Sequence, residues 1–200
     1  MVHTEPMKKG RYMPETIRSF IAFDINNQGV LKRLTEAQAK LVKTGADLRL
    51  VQTQNIHVTM RFLGDIQPSV VEKIHDEMKQ VAFSPFDVEI RGAGAFPNTR
   101  NARVVWAGIQ QGTDELRIVF DQLEPRLRKL GFRSDPKGFS PHMTIARVRT
   151  GRNRSELARC LDELADREFG ILRADCLKLK KSLLTPRGPI YSTLKEVCPK

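Results

Sequence analysis

Several things are scarce in this 200-residue chain, and each absence excludes a class of protein. There are only three cysteines, Cys160, Cys176 and Cys198, scattered and without a Cys-x-x-Cys pair. Neither a disulfide framework nor a zinc knuckle is indicated, and a reducing cytoplasm fits best. No stretch approaches the ~20 apolar residues of a membrane span. The first residues, Met1 to Glu15, are polar and carry Lys8, Lys9 and Arg11 but no apolar core, so they do not read as a secretory signal. No run rich in Gly, Ser or Pro separates independent domains. Acidic residues are outnumbered, 23 against 34 Lys and Arg, for a formal charge of +11. No Asp/Glu/His cluster with metal-ligand spacing accompanies the histidines, which disfavours a dinuclear metal hydrolase; no metal and no cofactor are expected.

What remains is an ordinary globular composition, 40% hydrophobic, with ample chain for a core. Residues 1–16 are expected to be a flexible tail and residues 17–200 one domain. Ile17 to Ile25 reads as a strand. Asn26-Asn27 offers a cap for a helix carrying Val30, Leu31, Leu34, Gln38 and Leu41, which ends near Gly45. Leu48 to Val51 is extended, Ile56 to Leu63 a strand, and Pro68 opens a second amphipathic helix. Phe86 to Ile90 is a strand, Gly92 to Asn101 a Gly/Pro loop, and Ala102 to Ile109 a strand. The pattern then restarts with a helix capped by Thr113, a strand from Ser140 to Val148 and a helix capped by Ser155. Two strands follow, Ala174 to Leu184 and Ile190 to Val197, around the turn at 185–189. Each half thus runs helix, strand, helix, strand, loop, strand. This order predicts an α+β internal duplication: two lobes related by a pseudo-twofold, each with an antiparallel sheet and helices, with a cleft between them.

The corresponding strand of each half carries the same tripeptide, His57-Val58-Thr59 and His142-Met143-Thr144. Alternation on a strand puts the His and the Thr of each copy on one face. Two imidazoles and two hydroxyls in one cleft are the inventory that metal-free phosphate chemistry needs near neutral pH, one imidazole as base and the other as acid. Thr59 and Thr144 can donate hydrogen bonds to the non-bridging oxygens. The symmetry leaves open which histidine does which. Strict alternation also puts Arg61 on the His57 face and Arg147 opposite His142, unless a bulge swings Arg147 back. Phe62 is a candidate for stacking on a base. His3 and His75 read as solvated. Two basic groups could track a nucleic-acid backbone: Arg147, Arg149, Arg152 and Arg154 on a turn, and Lys178, Lys180 and Lys181 on a strand.

The runs Phe20-Ile21-Ala22-Phe23-Asp24, Asn55-Ile56-His57-Val58-Thr59-Met60-Arg61-Phe62-Leu63-Gly64, Gly94-Ala95-Phe96-Pro97, Ala102 to Gly108, Phe139-Ser140-Pro141-His142-Met143-Thr144-Ile145-Ala146-Arg147 and Gly188-Pro189-Ile190-Tyr191 together resemble the 2H phosphoesterase superfamily. Within it the chain is most similar to the RNA 2′,3′-cyclic phosphodiesterases, long labelled 2′-5′ RNA ligases. The resemblance covers roughly residues 18 to 197. It implies a bilobal α+β fold and metal-free opening of an RNA 2′,3′-cyclic phosphate to a 2′-phosphomonoester, with weak ligation as the reverse reaction. It further implies His57 as proton donor to O3′, His142 as proton acceptor from water, and Arg147 on the phosphate. The expected partner is RNA bearing such an end, tRNA fragments among them, with a cytoplasmic monomer as the enzyme and no membrane involved. Other readings are a 2H enzyme acting on a small cyclic nucleotide, an ADP-ribose cyclic phosphate or a 2′-5′ linkage, or an RNA-binding protein without catalysis.

Overall fold

Ile17–Asp24 (β1) is buried from Ser19 to Phe23 because it lies in the middle of a sheet. The structure is a computed structural model describing residues 15–134, 138–186 and 188–199; the expected tail falls outside the described residues except for Glu15 and Thr16. After β1 come α1 (Gln28–Lys43), β2 (Leu48–Leu50), β3 (His57–Ile66), α2 (Val71–Lys79), β4 (Phe86–Phe96) and β5 (Val104–Gln111). Then follow α3 (Thr113–Lys129), β6 (Met143–Val148), α4 (Arg154–Glu163), β7 (Glu168–Ala174), β8 (Leu177–Thr185) and β9 (Gly188–Val197). The strands form two antiparallel sheets, ordered β3-β1-β8-β9 and β2-β6-β5-β4-β7.

The α+β duplication is borne out, with one refinement. The sheets are not the two halves of the chain. β4 is built into the sheet of the second His-x-Thr strand, and β8 and β9 return into the sheet of the first. Outside β2, the orders β3-β1-β8-β9 and β6-β5-β4-β7 correspond strand for strand. One hydrophobic cluster runs through both, from Ile21 and Val58 in the first sheet to Val88, Val105 and Ile145 in the second. The apolar stripes of the helices feed this core: Val30, Leu34, Ala37 and Leu41 on α1, and Leu116, Val119, Leu123 and Leu127 on α3.

Asn27 caps α1 as expected, its side chain accepting from the backbone N–H of Gly29 at 2.9 Å and of Val30 at 3.2 Å. The other two caps differ from expectation. Gly112 and Asn153, both in the left-handed region, precede α3 and α4, so Thr113 and Ser155 lie inside their helices. Gly92 to Phe96 is strand rather than loop: without a Cβ, Gly94 lets the indole of Trp106 lie across it on β5, where a Cβ would meet the ring at 2.4 Å. The stretch beyond Ala174 is preceded by a separate edge strand, β7, which no local signal in the sequence marks.

The cysteines also require a correction. Cys176 and Cys198 form a disulfide with Cα atoms 4.3 Å apart. They flank the Leu177–Val197 pair that starts the β8–β9 ladder, so strand register brings together two residues that their spacing does not link. Cys160 is free and buried in α4.

Candidate active site

Both His-x-Thr strands break alternation at the same place. Between β1 and β3, Ile21 pairs with Arg61 and Ala22 with Thr59, so Met60 is the extra residue of a bulge. Between β5 and β6, Val105 pairs with Ala146 and Trp106 with Thr144, so Ile145 is the extra residue. In each strand two consecutive side chains face the core, Met60 with Arg61 and Ile145 with Ala146. A bulge of this kind shifts every later side chain to the other face. The residue five beyond each histidine, Phe62 or Arg147, is thereby turned to the cleft. The Ile145 carbonyl accepts from the Val51 N–H at 2.9 Å and from the buried Gln38 amide at 2.8 Å.

Arg61, expected on the His57 face, is corrected by the same bulge. It is 7% exposed, its Nε donates to Glu124 Oε2 on α3 at 2.7 Å, and its Nη groups donate to the carbonyls of Phe62 and Arg133. It anchors β3 and does not line the cleft. The strand lysines are corrected too. Lys180 is 7% exposed, and both it and Lys178 are ion-paired to Asp24, which stands opposite His57 in the β1–β3 register. These two lysines do not form an exposed nucleic-acid track.

The histidines have matching environments. His57 Nδ1 lies 2.8 Å from the Asn55 carbonyl, and His142 Nδ1 lies 2.7 Å from the Ser140 carbonyl, two residues upstream in each case. A carbonyl only accepts, so each Nδ1 carries the hydrogen, leaving Nε2 as the nitrogen that gains or loses a proton. His57 stacks on Phe20 with ring centroids 4.7 Å apart and meets Tyr191 edge-on at 5.4 Å. His142 meets Phe96 edge-on at 4.9 Å. Burial lowers the pKa of His57 to about 4, against the raising effect of the Asn55 hydrogen bond, with the charges of Lys180 and His142 lowering it further. Burial lowers that of His142 as well, with Arg147 adding to the effect.

Between the sheets lies a cleft of about 340 Å³. Phe20, His57, Thr59 and Phe62 line it from one sheet, and Arg49, Thr144 and Arg147 from the other. Ser182, Leu184, Gly188 and Tyr191, at the closed end of the β8–β9 hairpin, form its rim. His142, immediately before β6, is not among the lining residues, although its charge acts on His57. No carboxylate or thiol is among the described lining residues, so the lining offers a phosphate hydroxyls, the His57 imidazole and guanidinium groups, and no metal donor set beyond that imidazole.

Asn55 does not stand out in the sequence. Its buried side chain donates to the Pro189 carbonyl at 2.8 Å while its own carbonyl holds His57, which links the hairpin rim to the imidazole. Tyr191, Arg18 and Arg49 are likewise unassigned by sequence reasoning. Tyr191 stands only within the Gly188–Tyr191 run, and nothing local marks Arg18 or Arg49.

A duplicated fold with one His-x-Thr strand in each sheet, both bordering one cleft, defines a 2H phosphoesterase. The chain belongs to the LigT-like phosphoesterase family, whose model matches residues 25–106 and again 108–191, once for each half. It is 38% identical to an RNA 2′,3′-cyclic phosphodiesterase of Aeropyrum pernix over 82% of this chain and 94% of that one. It is 33% identical to one of Thermotoga maritima over 90% and 94%. Among solved structures, a Thermus thermophilus protein superposes with a TM-score of 0.75 at 25% identity, covering 91% of this chain and 97% of that one. The LigT protein of E. coli complexed with 3′-AMP shares the fold, with a TM-score of 0.74 at 21% identity over 92% and 98%.

Proposed function

We propose that this enzyme hydrolyses the 2′,3′-cyclic phosphate at an RNA end to a 2′-phosphomonoester. The observation that carries the reading is the pair of identically bulged His-x-Thr strands, each with Nδ1 tied to a carbonyl and Nε2 left to exchange a proton. The Aeropyrum and Thermotoga relatives bear the name of this activity.

In the proposed reaction His142 Nε2 takes a proton from water, whose oxygen attacks phosphorus. The P–O3′ bond breaks on the opposite side, and His57 Nε2 gives its proton to O3′. Thr59, Thr144 and Arg147 hold the non-bridging oxygens, where charge builds in the transition state, and Phe62, 59% exposed, stacks on the terminal base. The direction of proton traffic rests on the family resemblance. The environment of His57 is compatible with it: an imidazolium with a pKa near 4 is a strong acid, and it acquires its proton together with the phosphate anion that favours the charged form. RNA ends of this kind, tRNA fragments among them, are the proposed substrate, and a monomer the proposed form of the enzyme.

Phosphorus NMR of the product from a cyclic-phosphate-ended oligoribonucleotide tests the reading. A single 2′-phosphomonoester is expected, formed equally well with EDTA, and His57→Ala or His142→Ala should each lose ~10²–10⁴-fold in rate. A 3′-phosphate product, or turnover abolished by EDTA and restored only by added metal, would overturn it.

A further inference from the structure

The cleft holds more positive charge than its reaction centre needs. A cyclic phosphodiester carries one negative charge, and Arg147, Thr59 and Thr144 already face it. Arg18 and Arg49 line the same cleft, both exposed. Some arginines elsewhere in the molecule are matched with carboxylates, as in Arg91–Glu168, Arg126–Glu77, Arg167–Glu36 and Arg173–Asp87, and others, such as Arg33 and Arg117, donate to backbone carbonyls; the cleft differs in that no carboxylate is among its described lining residues. Arg18, Arg49 and Arg147 make no ion pair among the described residues.

Their placement is costly for a protein without a ligand. Arg49 and Arg147 stand directly opposite one another in the β2–β6 ladder, where like charges repel. Arg49 also reaches across the cleft: its Nη2 lies 3.4 Å from where a Cβ on Gly188, in the other sheet, would sit. The charges of Arg18 and Arg147 both act on the Tyr191 hydroxyl, so the three guanidinium groups surround one rim. Exposed apolar surface interleaves with them, Phe62 at 59% and Leu184 at 67%. Guanidinium groups beside exposed apolar faces suit alternating phosphates and bases of a single strand.

We propose that Arg18 and Arg49 form a second anion subsite, which takes the phosphate on O5′ of the terminal nucleotide, so that the cleft reads an oligonucleotide end rather than a cyclic mononucleotide. The inference rests on the phosphodiesterase reading above and assigns the upstream part of the same cleft.

The test compares two substrates differing in one group: adenosine 2′,3′-cyclic phosphate with a 5′-hydroxyl and the same compound with a 5′-phosphate. For the unmodified protein the 5′-phosphate should raise kcat/KM roughly 10- to 100-fold, the effect of a charge-assisted hydrogen bond. The gain should appear mainly in KM and shrink as salt rises. In Arg49→Gln, and separately in Arg18→Gln, the ratio between the two substrates should collapse towards one, whereas Arg49→Lys should keep part of it. Equal turnover of the two substrates by the unmodified protein would overturn the subsite and leave the phosphodiesterase reading standing. A ratio that survives in both Gln variants would also overturn it. No turnover of either substrate, nor of a cyclic-phosphate-ended oligomer, would instead remove the reading on which the subsite rests.

Discussion

At the scale of the residue, the proposed chemistry depends on which nitrogen of each imidazole carries the hydrogen and how costly a second proton is. The carbonyls of Asn55 and Ser140 decide the first point, and burial decides the second. The free protein therefore holds His57 neutral well below the ordinary histidine range. Nitrogen-15 NMR of the unliganded protein at pH 6 should show a neutral Nδ1–H tautomer at His57. His57 should titrate near 4 and move upward when inorganic phosphate is added. The sign for stability follows from the same shift. Between the ordinary value near ~6.5 and about 4 the unfolded chain binds more protons than the folded one, so stability falls as pH drops through that window. Phosphate, by raising the folded value, should make that fall shallower. A His57 that titrates near 6.5 without ligand would contradict the burial argument.

At the scale of the element, the active face is made by two bulges and one hairpin. Each bulge leaves the strand with a local break in its ladder, and in β6 the Ile145 carbonyl is met by Val51 and by the Gln38 amide. Gln38 also donates to the Val51 carbonyl at 2.7 Å, so it ties α1 to the segment that carries Arg49. Gln38→Leu should cost about 1–3 kcal/mol in urea unfolding, the penalty for buried polar groups losing a partner. Activity should fall with it, because Arg147 lies two residues beyond Ile145. Asn55→Ala should have the contrasting signature of a positioning residue. The Asn55 carbonyl remains to hold His57, while the tie to Pro189 at the rim is lost. We expect KM to rise several-fold with a smaller loss in kcat, read by steady-state kinetics on an oligomer substrate. Unchanged KM would remove the rim from substrate binding.

At the scale of the molecule, the two ends of the β8–β9 hairpin have separate tasks. The closed end, Ser182 to Tyr191, rims the cleft; the open end is stapled by Cys176–Cys198 and lies beside Asp24, Lys178 and Lys180. A disulfide closing 22 residues contributes on the order of 3 kcal/mol by restricting the unfolded chain. Reduction, or the double change Cys176→Ser with Cys198→Ser, should therefore lower Tm by roughly 5–10 °C. Turnover at 25 °C should be nearly unchanged. A large loss of turnover at a temperature where the reduced protein stays folded would mean that the staple acts on the cleft as well.

The sequence by itself determined most of the elements and their duplication, because apolar periodicity and a repeated tripeptide are local signals; β7 and the caps of α3 and α4 escaped it. It also determined the two histidines and two threonines as a set, since the same pattern at matching places in both halves is legible without coordinates. Only the tertiary structure decided which neighbours joined them. The Met60 and Ile145 bulges are defined by the strands they pair with, so alternation alone put Arg61 in the cleft and Arg147 outside it, the reverse of what the fold does. The exchange of strands between sheets, the Cys176–Cys198 bond, the pairing of Lys178 and Lys180 with Asp24, and the meeting of Arg18, Arg49 and Arg147 all arise between residues far apart in the chain. Register and long-range packing bring those residues together, and neither is written in any single stretch of the sequence.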